Sequence, residues 1–164
     1  KELESRYKIY KMRDALEKLD DEYDRIYIDT PPRFDFYSKS ALIAADSLLI
    51  PFDCDSFALH ALVSLIDNVT ELQEDHNPDL VVEGIIINQF NSQARLPAEL
   101  VDELNKSGLP VFSTYLSSSV KMKESHREGR PLIDLAPSHK LTGQFLELHG
   151  ELEGSAALQA VSAA

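Results

Sequence analysis

The chain has 164 residues and a mass of 18.4 kDa, the size of one domain with room for a buried core. Lys and Arg total 16 against 28 Asp and Glu, a net charge of −12, which excludes a generic polyanion binder and confines any nucleic-acid contact to a local basic patch. The single cysteine, Cys54, excludes an internal disulfide and a four-ligand zinc site made from cysteines, and a reducing compartment is expected.

In chain order, residues 1–20 read as a helix, with Ile9, Met12, Leu16 and Leu19 three or four apart. "RIYID", residues 25–29, reads as a strand of β-branched and aromatic residues. Residues 38–46 form a short helix, and "SLLIPFD", residues 47–53, a second strand ending at Pro51. Residues 57–76 make a long amphipathic helix through Leu59, Leu62, Val63, Leu65, Ile66, Val69 and Leu72. A third strand lies at 84–88, inside "DLVVEGIIINQF". Residues 96–108 form a helix with Pro97 in its first turn and Gly108 at its end. "PVFSTYL", residues 110–116, is the fourth strand. A short basic helix at 119–129 and a last helix at 138–152 follow, and 153–164 reads as a disordered tail.

Apolar strands alternating with helices predict an α/β fold, doubly wound around a mostly parallel sheet with helices on both faces. No run of about 18 apolar residues predicts a membrane span, and no signal-peptide pattern opens the chain. In such sheets ligands bind beyond the carboxyl ends of the strands. Asp29 stands at such an end, and Pro31 and Pro32 then stop helix formation and stiffen the exit. A carboxylate held there suits a hydrated magnesium ion, which takes oxygen ligands and keeps several waters. The same residue could equally cap the next element, and both readings stand at this point.

The ordered set "YDRIYIDTPP", "ALIAADSLLIPFDCDSFALHAL", "NPDLVVEGIIINQFNSQARL" and "SVKMKESHREGRPL" resembles the second half of a ParA/Soj-type partition ATPase. Those proteins belong to the deviant P-loop NTPase family that also holds MinD. The resemblance covers about residues 10–152, and residues 1–152 are expected to be the carboxyl-terminal part of one such ATPase domain. It implies ATP and Mg2+ as cofactors, a homodimer that sandwiches ATP, nonspecific DNA binding, and a ParB-like centromere-binding partner that stimulates hydrolysis. It also implies a cytoplasmic, nucleoid-associated protein. Asp29 matches the acidic residue that holds magnesium, and Thr30, Pro31 and Pro32 match the switch segment after it. Asn88 matches the residue that touches adenine, and the loop at 116–120, including Leu116 and Ser117, matches the segment that closes the other side of the base.

Departures accompany the match. The phosphate-binding loop of the family, KGGxGKT, has no counterpart, so the chain is expected to be a fragment that alone neither binds nor hydrolyses ATP well. Leu116, Ser117 and Ser118 stand where members commonly carry Ile-Pro-Arg, which removes an arginine from base closure and DNA contact. Lys121, Lys123, Arg127 and Arg130 remain as candidate DNA contacts, or as a solvated face paired with Glu124 and Glu128.

Arg33 and Arg95 are candidates for contact with a phosphate or a partner subunit, with surface ion pairing as the default. Asp53 and Asp55, near the end of the second strand, are candidates to shape a switch or a dimer surface, with loop solubility as the default, and Cys54 between them reads as a packing residue. Two alternatives remain. A MinD-like positioning ATPase would dock on membranes through a basic amphipathic tail, but this tail carries no Lys or Arg, which argues for no membrane contact. A degenerate, non-catalytic domain would only bind partners.

Overall fold

The computed structural model describes residues 8–54 and 58–162. Its elements are α1 (Lys11–Leu16, continued by a 3-10 turn, Glu17–Leu19), α2 (Phe36–Ala44), β1 (Ser47–Asp53), α3 (Ala58–Asp75), β2 (Val81–Asn88), α4 (Arg95–Lys106), α5 (Val120–Glu128), α6 (Leu132–Leu135) and α7 (Lys140–Ser162).

β1 and β2 are hydrogen-bonded neighbours. Val81 N–H donates to the Asp46 carbonyl, and the Asn88 side chain donates to Asp53. The separation along the chain is the same for both pairs, so the strands run parallel, joined by the α3 crossover. β1 runs through Pro51 to Asp53 rather than ending at the proline. No other strand among the described residues pairs with β1, and on such an edge a missing N–H costs no ladder bond.

The expected fourth strand makes two isolated parallel bridges, Ile85 of β2 with Val111 and Phe90, just past β2, with Ser117. The run from Val111 to Ser117 is one residue longer than the run it faces, so a continuous ladder cannot form. Gly84 is required where this segment crosses β2: a Cβ there would lie 2.4 Å from Phe112 Cε2.

The expected first strand is a second correction. Residues 25–29 carry no regular secondary structure and join no ladder. Tyr23, Ile26 and Tyr27 are 59%, 41% and 70% exposed. β propensity reflects packing against sheet neighbours, and among the described residues no strand pairs with this segment. The tail is the third difference: the backbone of α7 stays helical to Ser162, consistent with the high helix propensity of its Ala, Leu and Gln.

The described residues divide into two compact units. One comprises residues 8–48 and 60–82. Its core is Leu42, Ile43, Val69, Leu72 and Leu80, with Ile9, Tyr10 and Phe34 packed against it. Residues 62, 69 and 72 share one face of α3, whereas Val63, read as apolar-periodic, is 55% exposed. Asn77 closes the end of α2 by donating Nδ2 to the carbonyls of Leu42 (2.9 Å), Ile43 (3.4 Å) and Ala45 (2.9 Å). Burying a side chain such as Ile43 or Leu80 contributes about 1.5–3 kcal/mol.

The second unit comprises residues 49–54, 58–59 and 83–162. Its core is Phe112, Leu116, Leu132, Leu141 and Leu148, with Ile86, Met122 and Phe145 against it. α4 buries Pro97, Leu100, Val101 and Leu104 on one face. Glu151 on α7 accepts from Ser113 N–H (2.8 Å) and from the Thr114 hydroxyl, tying the helix to the 111–117 segment.

Candidate functional site

The segment after residue 25 is shaped by its exit. Asp29 and Thr30 are exposed. At the Pro-Pro step, Arg33 N–H donates to the Pro31 carbonyl at 2.7 Å. The hydroxyl of Ser38, itself buried, donates to Arg33 O at 2.5 Å and lies 3.4 Å from Pro31 O. Asp35 caps α2, its Oδ1 accepting from Tyr37 N–H (3.0 Å) and Ser38 N–H (3.3 Å). The capping role left open for Asp29 therefore belongs to Asp35. The aspartate before "FYS" carried that signal in the sequence; Ser38 did not announce itself. Among the described residues no group of three or more His, Cys, Asp or Glu stands together to hold a metal ion. One exposed carboxylate still suits magnesium, which is often held by one or two carboxylates and several waters.

The second set lies where β1 and β2 end. Asp53 is the last residue of β1 and Asn88 the last of β2. Asn88 Nδ2 donates to Asp53 Oδ1 at 2.8 Å, and Gln89 Nε2 donates to Asp53 Oδ2, also at 2.8 Å. Both carboxylate oxygens are thus engaged by adjacent amides. Gln89 has φ of 52°, a left-handed conformation that non-glycine residues seldom adopt. Such backbone strain concentrates where a structure positions a ligand. Asp53, for which the sequence left a switch or dimer-surface role beside the default of loop solubility, is held in these two hydrogen bonds, which the sequence did not announce. Asp55 lies outside the described residues.

The segment expected to close on the base has a different character at each position. Leu116 is buried in the core; its N–H donates to Ile87 O, and its carbonyl accepts from Phe90 N–H, both at 2.8 Å. Ser117 is paired reciprocally with Gln144 of α7. Its N–H donates to Gln144 Oε1, and Gln144 Nε2 donates to its hydroxyl, both at 3.0 Å. Beside them a cavity of 430 Å³ is lined by Phe90, Tyr115, Ser117, Lys140 and Gln144. Phe90 and Tyr115 meet edge to face with ring centres 5.1 Å apart.

The basic cluster lies on and just after α5. Ser119 caps that helix by accepting from Lys121 N–H, and Gly129 ends it in the left-handed conformation at φ 62°. Lys121, Lys123, Arg127 and Arg130 are all exposed. Lys121 pairs with Glu124 at 2.7 Å. That hydrogen bond first, and the charge of Glu124 second, raise its pKa above the usual lysine value. Arg130 Nη2 reaches Asp134 O at 3.3 Å. Lys123 and Arg127, four residues apart, share one face of the helix. Arg95 pairs with Glu99 at 2.6 Å, the default reading for that residue, and Arg33 is exposed.

Residues 1–82 match a family model described as an AAA domain, AAA_31. The chain is 35% identical over 144 residues to the chromosome partitioning protein ParA of Myxococcus xanthus, covering 87% of this chain and 51% of that protein. It spans about half the length of the curated relatives it matches. Apo McdA of Cyanthece has a similar fold, with a TM-score of 0.77 at 21% identity over 88% of this chain and 59% of McdA. Cobyrinic acid a,c-diamide synthase of Mycobacterium smegmatis, solved with an ATP analogue and magnesium, matches with a TM-score of 0.62 at 26% identity. That match covers 68% of this chain and 45% of the synthase.

Proposed function

The chain belongs to the AAA_31 family of ParA-type ATPases, and from that premise we propose that it carries the base-recognition and switch portions of an ATP-hydrolysing partition protein. The observation that carries this reading is the carboxyl end of β2. There Asn88 holds a fixed carboxamide and is followed at once by the left-handed Gln89. A carboxamide at a strand end can pair with an adenine edge, and that is the role assigned to Asn88. Leu116 and Ser117 contribute as a rigid wall, since their hydrogen bonds are already engaged within the fold.

Asp29, with Thr30 and Pro31 beside it, is assigned to the metal and switch role. Magnesium, when bound, would neutralise phosphate charge. The chain's own part is to hold Asp29 next to a turn that Ser38 clamps. In the whole protein, hydrolysis would rest on positioning and charge stabilisation. ATP would support a homodimer, nonspecific DNA binding through Lys123 and Arg127, and response to a ParB-like partner in the cytoplasm. No helix of the described residues is long and apolar enough to cross a membrane.

The test is a magnesium–ATP titration and a hydrolysis assay on this chain and on the full-length gene product. Binding by the full-length product, with hydrolysis weakened by Asp29→Ala, supports the reading. A full-length product that neither binds nor hydrolyses ATP overturns it in favour of a non-catalytic partner-binding domain.

A further inference from the structure

We propose that Asp53 is a positioning residue that sets purine selectivity by fixing which face of the Asn88 carboxamide is presented to a base; this rests on the reading of Asn88 as the base contact. A carboxylate only accepts hydrogen bonds, so the group that Asn88 turns toward Asp53 Oδ1 at 2.8 Å must be its NH2. The carboxamide oxygen then faces away from Asp53, and one N–H at most remains beside it.

Adenine presents an exocyclic amine next to an accepting ring nitrogen, whereas guanine presents a carbonyl oxygen at the same place. An outward amide oxygen accepts from the amine of adenine and repels the oxygen of guanine. A free carboxamide could turn its NH2 outward instead and accommodate guanine. Asp53 prevents that turn. Its second oxygen takes Gln89 Nε2, so the carboxylate is itself held from two sides. Asp53 is exposed at the end of β1, outside both hydrophobic cores, so its role is to orient rather than to pack.

The experiment compares ATP and GTP affinity, both with magnesium, for the full-length gene product and its variants. The expected results are a preference for ATP in the natural protein, roughly a five- to tenfold loss of that preference in Asp53→Ala, and an intermediate loss in Asp53→Asn. An asparagine at 53 keeps the shape and the acceptor but can also donate, so it tolerates both orientations of Asn88. Being nearly isosteric, it also keeps the proposal falsifiable if Asp53→Ala folds poorly. If Asn88→Ala leaves both affinities unchanged, the base-contact reading fails and takes the proposal with it. If Asn88→Ala abolishes the preference while both Asp53 variants retain it, the proposal alone is overturned. Equal loss of ATP and GTP affinity in the Asp53 variants, with the ratio preserved, also overturns it.

Discussion

Phe112 occupies the space above Gly84. A Cβ on residue 84 would lie 2.4 Å from its Cε2 and 2.8 Å from its Cδ2. The ring is buried and belongs to the core of the second unit, so it has little room to retreat. Gly84→Ala is expected to destabilise the protein by about 1–3 kcal/mol through overpacking. The check is urea unfolding, with Phe112→Leu as the second mutation. Partial rescue in the double variant identifies the close contact as the cause; additive losses would rule it out.

Asn77 spreads one NH2 over three carbonyls at the end of α2. Asn77→Ala leaves those acceptors without their shared donor and is expected to cost about 1–3 kcal/mol. Asn77→Asp should be worse above the carboxylate pKa, because it points an acceptor at acceptors. Thermal melts of the two variants at neutral pH give the order; Asp equal to or better than Ala would refute the donor role.

Glu151 links α7 to the 111–117 segment. Burial acts to raise its pKa, but hydrogen bonds from Thr114 and Ser113 together outweigh it, and the net shift is downward from 4.5. A carboxyl whose folded pKa lies below its unfolded value contributes stability that is present above about 4.5 and lost as pH falls through the folded value. Glu151→Gln should therefore flatten the decline of stability on the acid side of that value. Unfolding midpoints measured from neutral pH into the acid range test this. An unchanged slope would remove Glu151 from the acid response.

The legible part of this fold is the part whose sequence signals are local. The α3 crossover, β1, β2 and the Pro97-to-Gly108 helix announce themselves through periodicity and punctuation, and they stand within a few residues of their expected limits. "RIYID" carries an equally strong local signal but forms no ladder, because a strand is completed by neighbours that its own residues do not encode. The same limit hid Asp53. Its acidity and position at the end of β1 look like loop solubility, and its hydrogen bond to Asn88 forms only once α3 has brought the two strand ends together. The role proposed for Asn88 rests on the family pattern around "IINQF", not on a local signal of its own.

The basic face of α5 yields a prediction that separates a lysine in a close ion pair from its exposed neighbours. Lys121 is engaged by Glu124, whereas Lys123 and Arg127 project together from an exposed face. A cation already paired must give up that partner to bind phosphate, so its removal should weaken DNA binding less. In the ATP-bound full-length product, Lys123→Ala and Arg127→Ala are each expected to lower affinity for duplex DNA regardless of sequence. Each should reduce the slope of log affinity against log salt by about one. Lys121→Ala should leave that slope nearly unchanged. Fluorescence anisotropy across a salt series reads both quantities. Slopes unaltered in the Lys123 and Arg127 variants would return this helix to the role of a solvated surface, and DNA contact would have to be sought elsewhere on the protein.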